Sequence, residues 1–118
     1  MTKIAIVVFS DTNTVEALGK VSNAFVLANE ALEAGDQFKI IFEGAGTKWI
    51  SELENEEHKL HALYKGLKGS ITGACSFCAQ AFGVKGQVEK AGIPLLSEYN
   101  DHPSIRNLVA EGYTVISF

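Results

Sequence analysis

The chain has little of several residue types, and each shortage rules something out. Its two prolines leave no proline-rich linker, and 118 residues make one domain large enough to bury a single core without staples. Basic residues are in the minority, with 10 Lys and Arg against 14 Asp and Glu, a formal charge of -4 and a pI near 5.3. Binding to a phosphate backbone needs clustered Lys and Arg that displace counterions, and no such cluster exists, so a nucleic-acid partner is excluded. No apolar run approaches the roughly 18 residues of a membrane span, so no membrane partner is expected. Met1-Thr2-Lys3 leads straight into a strand-like run and leaves no room for a cleavable targeting segment. The expected location is the cytoplasm. Only two cysteines are present, Cys75 and Cys78. At C-x-x-C spacing in a reducing compartment they point to redox, sulfur-handling or metal chemistry rather than to a stable disulfide.

What the chain does have is apolar patterning. Hydrophobic residues make up 47% and mean hydropathy is +0.11, the apolar end of the soluble globular range, which leaves some apolar surface for subunit contacts. Lys3-Ile4-Ala5-Ile6-Val7-Val8-Phe9 is a β-branched run suited to a strand buried on both faces, central or nearly so in a parallel sheet. Asn13-Thr14-Val15-Glu16 supplies a helix cap, and Val15, Leu18, Val21, Phe25 and Leu32 form a helical stripe that stops at Gly35. Phe38–Phe42 is a second strand, followed by the loop Glu43-Gly44-Ala45-Gly46. That loop is too short for a dinucleotide fingerprint and leaves open a small anion or a subunit contact. Trp49, Ile50 and Leu53, then Leu60, Leu63, Tyr64 and Leu67, predict one or two helices broken by the acidic, solvated stretch around Glu54–Glu57. Trp49 and Tyr64 fit an interface or the core equally well.

Gly69–Ala74 reads as a third strand thinned by small residues, which admits close approach of a backbone or ligand. Val84, Val88 and Ala91 mark a helix ending at Gly92, and Ile93-Pro94-Leu95-Leu96 is a brief edge-like extended segment. Pro103 is expected at a first helical position, before a stop at Gly112 and a closing strand over Tyr113–Phe118. Strand and helix alternate about five times. The expected fold class is therefore α/β, a single three-layer α/β/α domain over residues 1–118 with a mostly parallel five-stranded sheet. Parallel strands bring Ser10–Asn13, Glu43–Gly46, Cys75–Cys78 and Ser97–Tyr99 to one edge, where the site should lie.

At that edge Gly73-Ala74-Cys75-Ser76-Phe77-Cys78 runs from strand into helix. Unpaired N–H groups at a helix start favour an anion, and a thiolate is one, so Cys78 reads as a nucleophilic thiol with a lowered pKa. The plain alternative is a small buried hydrophobe. Cys75 either resolves an oxidised partner or simply ends the strand. A thioredoxin-type arrangement would put the motif after an early strand, whereas here it comes late. His58 and His61, at i, i+3 spacing, formally complete a Cys₂His₂ set with the two cysteines. Leu60, Leu63 and Leu67 define the buried face there, which leaves the histidines flanking it, so no metal is expected. His102, before Pro103, reads as a helix-start residue whose loop lies near the site edge.

The polar turn after strand one, Cys75-x-x-Cys78 with Gly83-Val84, Gly92-Ile93-Pro94-Leu95 and the final Gly112-Tyr113-Thr114-Val115-Ile116 strand resemble the DsrE/DsrF-like proteins, including YchN-like members. The resemblance covers nearly the whole chain. It implies a parallel α/β/α fold assembled as a trimer or hexamer, and a cysteine that carries sulfane sulfur as a persulfide between donor and acceptor proteins. That cysteine falls on Cys78. Phe82 stands where the family commonly has an arginine before the glycine. The resulting expectation is a sulfur carrier without an organic cofactor. Its rival is a non-catalytic oligomeric module that holds a small ligand and merely packs its cysteines.

Overall fold

A computed structural model describes residues 2–118 of the chain. Five strands form one sheet: β1 (Lys3–Val8), β2 (Gln37–Phe42), β3 (Gly73–Cys75), β4 (Leu95–Leu96) and β5 (Thr114–Ser117), in the order β4-β3-β2-β1-β5. Every pairing is parallel, with Ile6 opposite Ile40 and Ile116, Phe42 opposite Ala74, and Cys75 opposite Leu96. The α/β class and the five-stranded parallel sheet match the sequence expectation. The third strand is shorter than its sequence suggests, because Lys68–Ser70 winds into a 3-10 turn before Gly73.

Parallel strands need crossovers, and six helices supply them: α1 (Val15–Ala34), α2 (Trp49–Glu54), α3 (His61–Leu67), α4 (Ser76–Ala81), α5 (Lys85–Lys90) and α6 (Ile105–Ala110). α1 begins at Thr14, whose hydroxyl accepts the Ala17 N–H, and ends at Gly35, whose φ of 73° is the left-handed conformation that closes a helix. Its buried stripe is Ala17, Val21, Ala24, Phe25, Ala28 and Ala31, while Val15 and Leu32 are exposed. Large aliphatic residues therefore misplace part of this stripe, because four alanines let the helix lie close on the sheet. Pro103 is not a first helical residue. Ser104 caps α6 by accepting the Asn107 N–H, so the proline sits one position outside the cap.

The two faces of the sheet are covered unequally. Ile6, Val8, Ile40, Phe42 and Ala74 join residues of α1, α2, α3, α4 and α5, including Phe25, Trp49, Leu53, Tyr64 and Val88, in one large core. Ala5 and Ile41 on the other face join Leu108 of α6 in a small second cluster. Trp49 and Tyr64 are each 1% exposed and belong to the core, not to an outer surface. Their polar atoms are satisfied there: the Trp49 indole N–H donates to the Ser10 carbonyl at 2.8 Å, and the Tyr64 hydroxyl donates to Glu54. Among the described residues, no helix is long and apolar enough to cross a membrane.

Candidate functional site

Because the strands are parallel, β2 and β3 end at the same sheet edge, and the residues that leave them form the site. Glu43 follows β2 directly. Its N–H donates to the Val8 carbonyl at 2.9 Å, and its carbonyl accepts the Gly46 N–H at 2.9 Å, which starts the 3-10 turn Gly44–Lys48. A Cβ at Gly46 would lie 2.0 Å from the Val8 carbonyl oxygen. The glycine is thus needed for the turn to seat against β1. Glu43 is only 8% exposed there.

β3 reaches the same edge through a close approach. A Cβ at Gly73 would lie 2.6 Å from the Pro94 carbonyl oxygen and 2.7 Å from Leu96 Cγ. The small residues read from the sequence therefore admit a neighbouring backbone. Cys75 ends this strand and caps α4, with its Sγ accepting the Cys78 N–H at 3.3 Å, the role that a serine or aspartate oxygen usually fills. Cys78 is the third residue of α4. Its half-buried thiol faces the Glu43 Oε1 at 3.6 Å.

A two-residue turn completes the arrangement. Tyr99 and His102 exchange both backbone hydrogen bonds, at 2.8 and 2.9 Å, around Asn100 and Asp101, whose φ values of 49° and 66° are left-handed. Asn and Asp are the non-glycine residues that tolerate this conformation best, and paired left-handed residues give the tight turn of a hairpin. The turn is pinned to α4 by the Phe77 N–H, which donates to the Asp101 carbonyl at 2.9 Å. It places His102 Nδ1 3.2 Å from the Cys75 Sγ, and the Phe77 ring lies against the imidazole with centroids 4.9 Å apart.

The two thiols are consequently unlike. Cys75 is fully buried, and burial pushes its thiol well above the usual value; the Cys78 N–H acts against this, while the neighbouring Cys78 thiol and Glu43 carboxylate add to it. Cys75 is thus protonated at neutral pH unless a cation joins it. Cys78 is the thiol that solvent reaches. Donor atoms of Glu43, Cys75, Cys78 and His102 all lie within 4.8 Å of one another.

With the sheet order and the cysteine edge in place, comparison with known proteins becomes informative. The DsrE/DsrF-like family model matches residues 3–118. This chain belongs to the DsrE/DsrF-like family. An uncharacterized protein of Methanocaldococcus jannaschii is 32% identical over 94 residues, which span 80% of this chain and 76% of the relative. A conserved protein of unknown function from Bacteroides thetaiotaomicron shares the fold, with a TM-score of 0.65 at 19% identity over 97% of this chain and 94% of that one.

The sequence brings both cysteines and the Glu43 loop to one edge but assigns no chemistry to Glu43, and His102 is not the helix-start residue expected of it, since α6 is capped by Ser104 while the imidazole meets Cys75. The signals for them were indirect. Glu43 is the residue at which β2 leaves the sheet, and Asn100-Asp101 is a turn pair that dictates where His102 points. His58 and His61 do not join the cysteines: the Nδ1 of His58 accepts the Leu60 N–H at 3.0 Å, and that of His61 bonds the Leu53 carbonyl at 2.7 Å. Just past α4, the Phe82 ring lies 5.9 Å from the Lys48 ammonium, which pairs with Asp11 at 2.7 Å.

Proposed function

We propose that the protein is a sulfur carrier in which Cys78 accepts a sulfane sulfur and passes it on. The observation that carries this reading is the division of labour between the thiols: Cys78 is accessible and faces a carboxylate, while Cys75 is sequestered behind it. Glu43 is positioned to take the Cys78 proton at 3.6 Å. The Cys78 thiolate attacks the outer sulfur of a donor persulfide R–S–SH. One S–S bond forms as the donor's S–S bond breaks, giving Cys78–S–SH and the donor thiolate. An acceptor thiolate then attacks that outer sulfur and releases the Cys78 thiolate, so the cycle needs no net oxidant. Cys75 is a candidate resolving thiol, held one helical turn away through the Cys78 N–H bond.

The family resemblance supports a homo-oligomer, a trimer or hexamer, working in the reducing cytoplasm with donor and acceptor proteins. Exposed Phe77, Phe82 and Tyr99 around the cysteine edge supply apolar surface for such contacts. The test is the intact mass of the reduced protein after exposure to a small persulfide donor. The parent should gain one sulfur atom that dithiothreitol removes, Cys78→Ser should gain none, and Cys75→Ser should retain the gain. No gain in the parent would refute the carrier.

A further inference from the structure

The four groups at the sheet edge touch in pairs, the Cys78 thiol with Glu43 and the Cys75 sulfur with His102, and together they present four donors to a cation. Glu43 is a buried carboxylate, and among the described residues it has no ion-pair partner. Lys48 emerges from the same turn, yet its ammonium is paired with Asp11 at 2.7 Å. A buried carboxylate ordinarily pairs with a cation or coordinates a metal. Beside it lie two sulfurs and an imidazole nitrogen, from an adjacent strand, a helix and a turn, with all four donor atoms within 4.8 Å of one another. The Cys78 N–H aimed at the Cys75 Sγ is a bond that strengthens when that sulfur is an anion.

We propose that Glu43, Cys75, Cys78 and His102 together bind a single Zn²⁺ ion. A tetrahedral zinc with bonds of about 2.3 Å to sulfur and 2.0–2.1 Å to nitrogen or oxygen sets neighbouring donors roughly 3.3–3.8 Å apart. Here His102 Nδ1 is 3.2 Å from the Cys75 Sγ, and the Glu43 Oε1 is 3.6 Å from the Cys78 Sγ. Small rotations of the side chains bring the remaining pairs into range. Two thiolates and an imidazole exclude Mg²⁺ and Ca²⁺, which require oxygen ligands, and the carboxylate favours Zn²⁺ over the softer Cu⁺. Glu43 and Cys75 form the buried floor, while the partly exposed Cys78 and His102 leave a path for the ion to enter. Phe77 packed on the imidazole fixes its plane, and the backbone turn fixes its distance. Binding releases the thiol protons to solvent and changes no oxidation state.

Occupancy has a consequence for sulfur chemistry that rests on the carrier reading. A Cys78 sulfur bound to zinc donates electron density to the metal and is a weaker nucleophile than the free thiolate, so zinc slows persulfide formation there. The metal would damp the carrier until a chelating partner removes it.

The test uses the full chain, stripped with a chelator and kept reduced by a phosphine. Titration with Co²⁺ should give intense sulfur-to-metal charge-transfer absorption and tetrahedral d–d bands at one equivalent, and Zn²⁺ should abolish both. Glu43→Gln, Cys78→Ser and His102→Ala, each checked for folding by circular dichroism, should weaken zinc binding at least as much as the 10- to 100-fold typical of losing an outer-shell partner. His58→Ala should leave it unchanged. Absence of the charge-transfer band, or equal affinity in parent, Cys78→Ser and His102→Ala, would overturn the site. Persulfide uptake by the stripped protein is read separately. A chain that binds zinc but takes no sulfur keeps this site and loses the carrier, and the reverse result does the opposite.

Discussion

The centre of the sheet and its β3–β4 end are built differently. Around β1, β2 and α1, strands of six residues and a helix of twenty share a continuous core with Phe25, Val21 and Ile40 at 0% exposure. Around β3, β4 and α4, the elements have three, two and six residues, and position is set by close approaches and single bonds. The first region has many redundant contacts, so no single one decides its geometry. The second has few, so Gly73, the Asn100-Asp101 turn and the Cys78 N–H each decide where a reactive atom lies. Stability and chemistry are thus assigned to different parts of one sheet.

The strongest way to break this comparison is in the core. Phe25→Ala should cost about 3–5 kcal/mol in urea unfolding, the range for deleting a buried aromatic ring. It should raise thiol reactivity only through global unfolding. Gly73→Ala should cost less, about 1–3 kcal/mol for overpacking against the Pro94 carbonyl, yet it should speed alkylation of Cys75 in the folded protein by prying β4 from β3. If Gly73→Ala leaves Cys75 as slow as the parent at matched stability, the cysteine end is as well braced as the core and the contrast fails.

The smallest effect lies on the α2–α3 flank. Burial opposes ionisation of Glu54, but the Tyr64 hydroxyl and the Lys68 ammonium at 2.9 Å outweigh it and hold the carboxyl below its ordinary value of 4.5. A depressed carboxyl stabilises the fold above its unfolded pKa and loses that contribution as pH falls through the folded one. Acid titration of the parent should therefore show a loss below about pH 4.5 that Glu54→Gln lacks, of under about 1 kcal/mol because the pair is partly exposed. Tyr64, pushed upward by burial and then by Glu54, should stay un-ionised through the alkaline range where exposed tyrosines titrate.

The same contrast explains what could be read from the chain. Long elements announce themselves: the β-branched run of β1, the cap signal in Asn13–Glu16 and the Gly35 stop placed α1 and its neighbours to within a residue or so. Parallel alternation then brought the Glu43 and cysteine turns to one edge, as expected. Short elements carry too few residues to show a period, so β3 was read too long and the first residue of α6 was misplaced. Glu43 and His102 escaped for another reason. Their roles arise from juxtaposition across 59 positions of chain, which only the closed sheet creates. The alanine stripe of α1 shows the converse, since close packing is legible only once the partner surface is known.

The turn that carries His102 has a further implication. Its shape is dictated by its own Asn100-Asp101 pair and two reciprocal backbone bonds, with one backbone bond and the Phe77 ring joining it to α4. The imidazole is therefore mounted on a separate hairpin, outside the strand and the helix that hold the two sulfurs. Shortening or rewriting that hairpin would retune the cysteine corner, from a four-donor cage to an open dithiol, without asking the scaffold to refold.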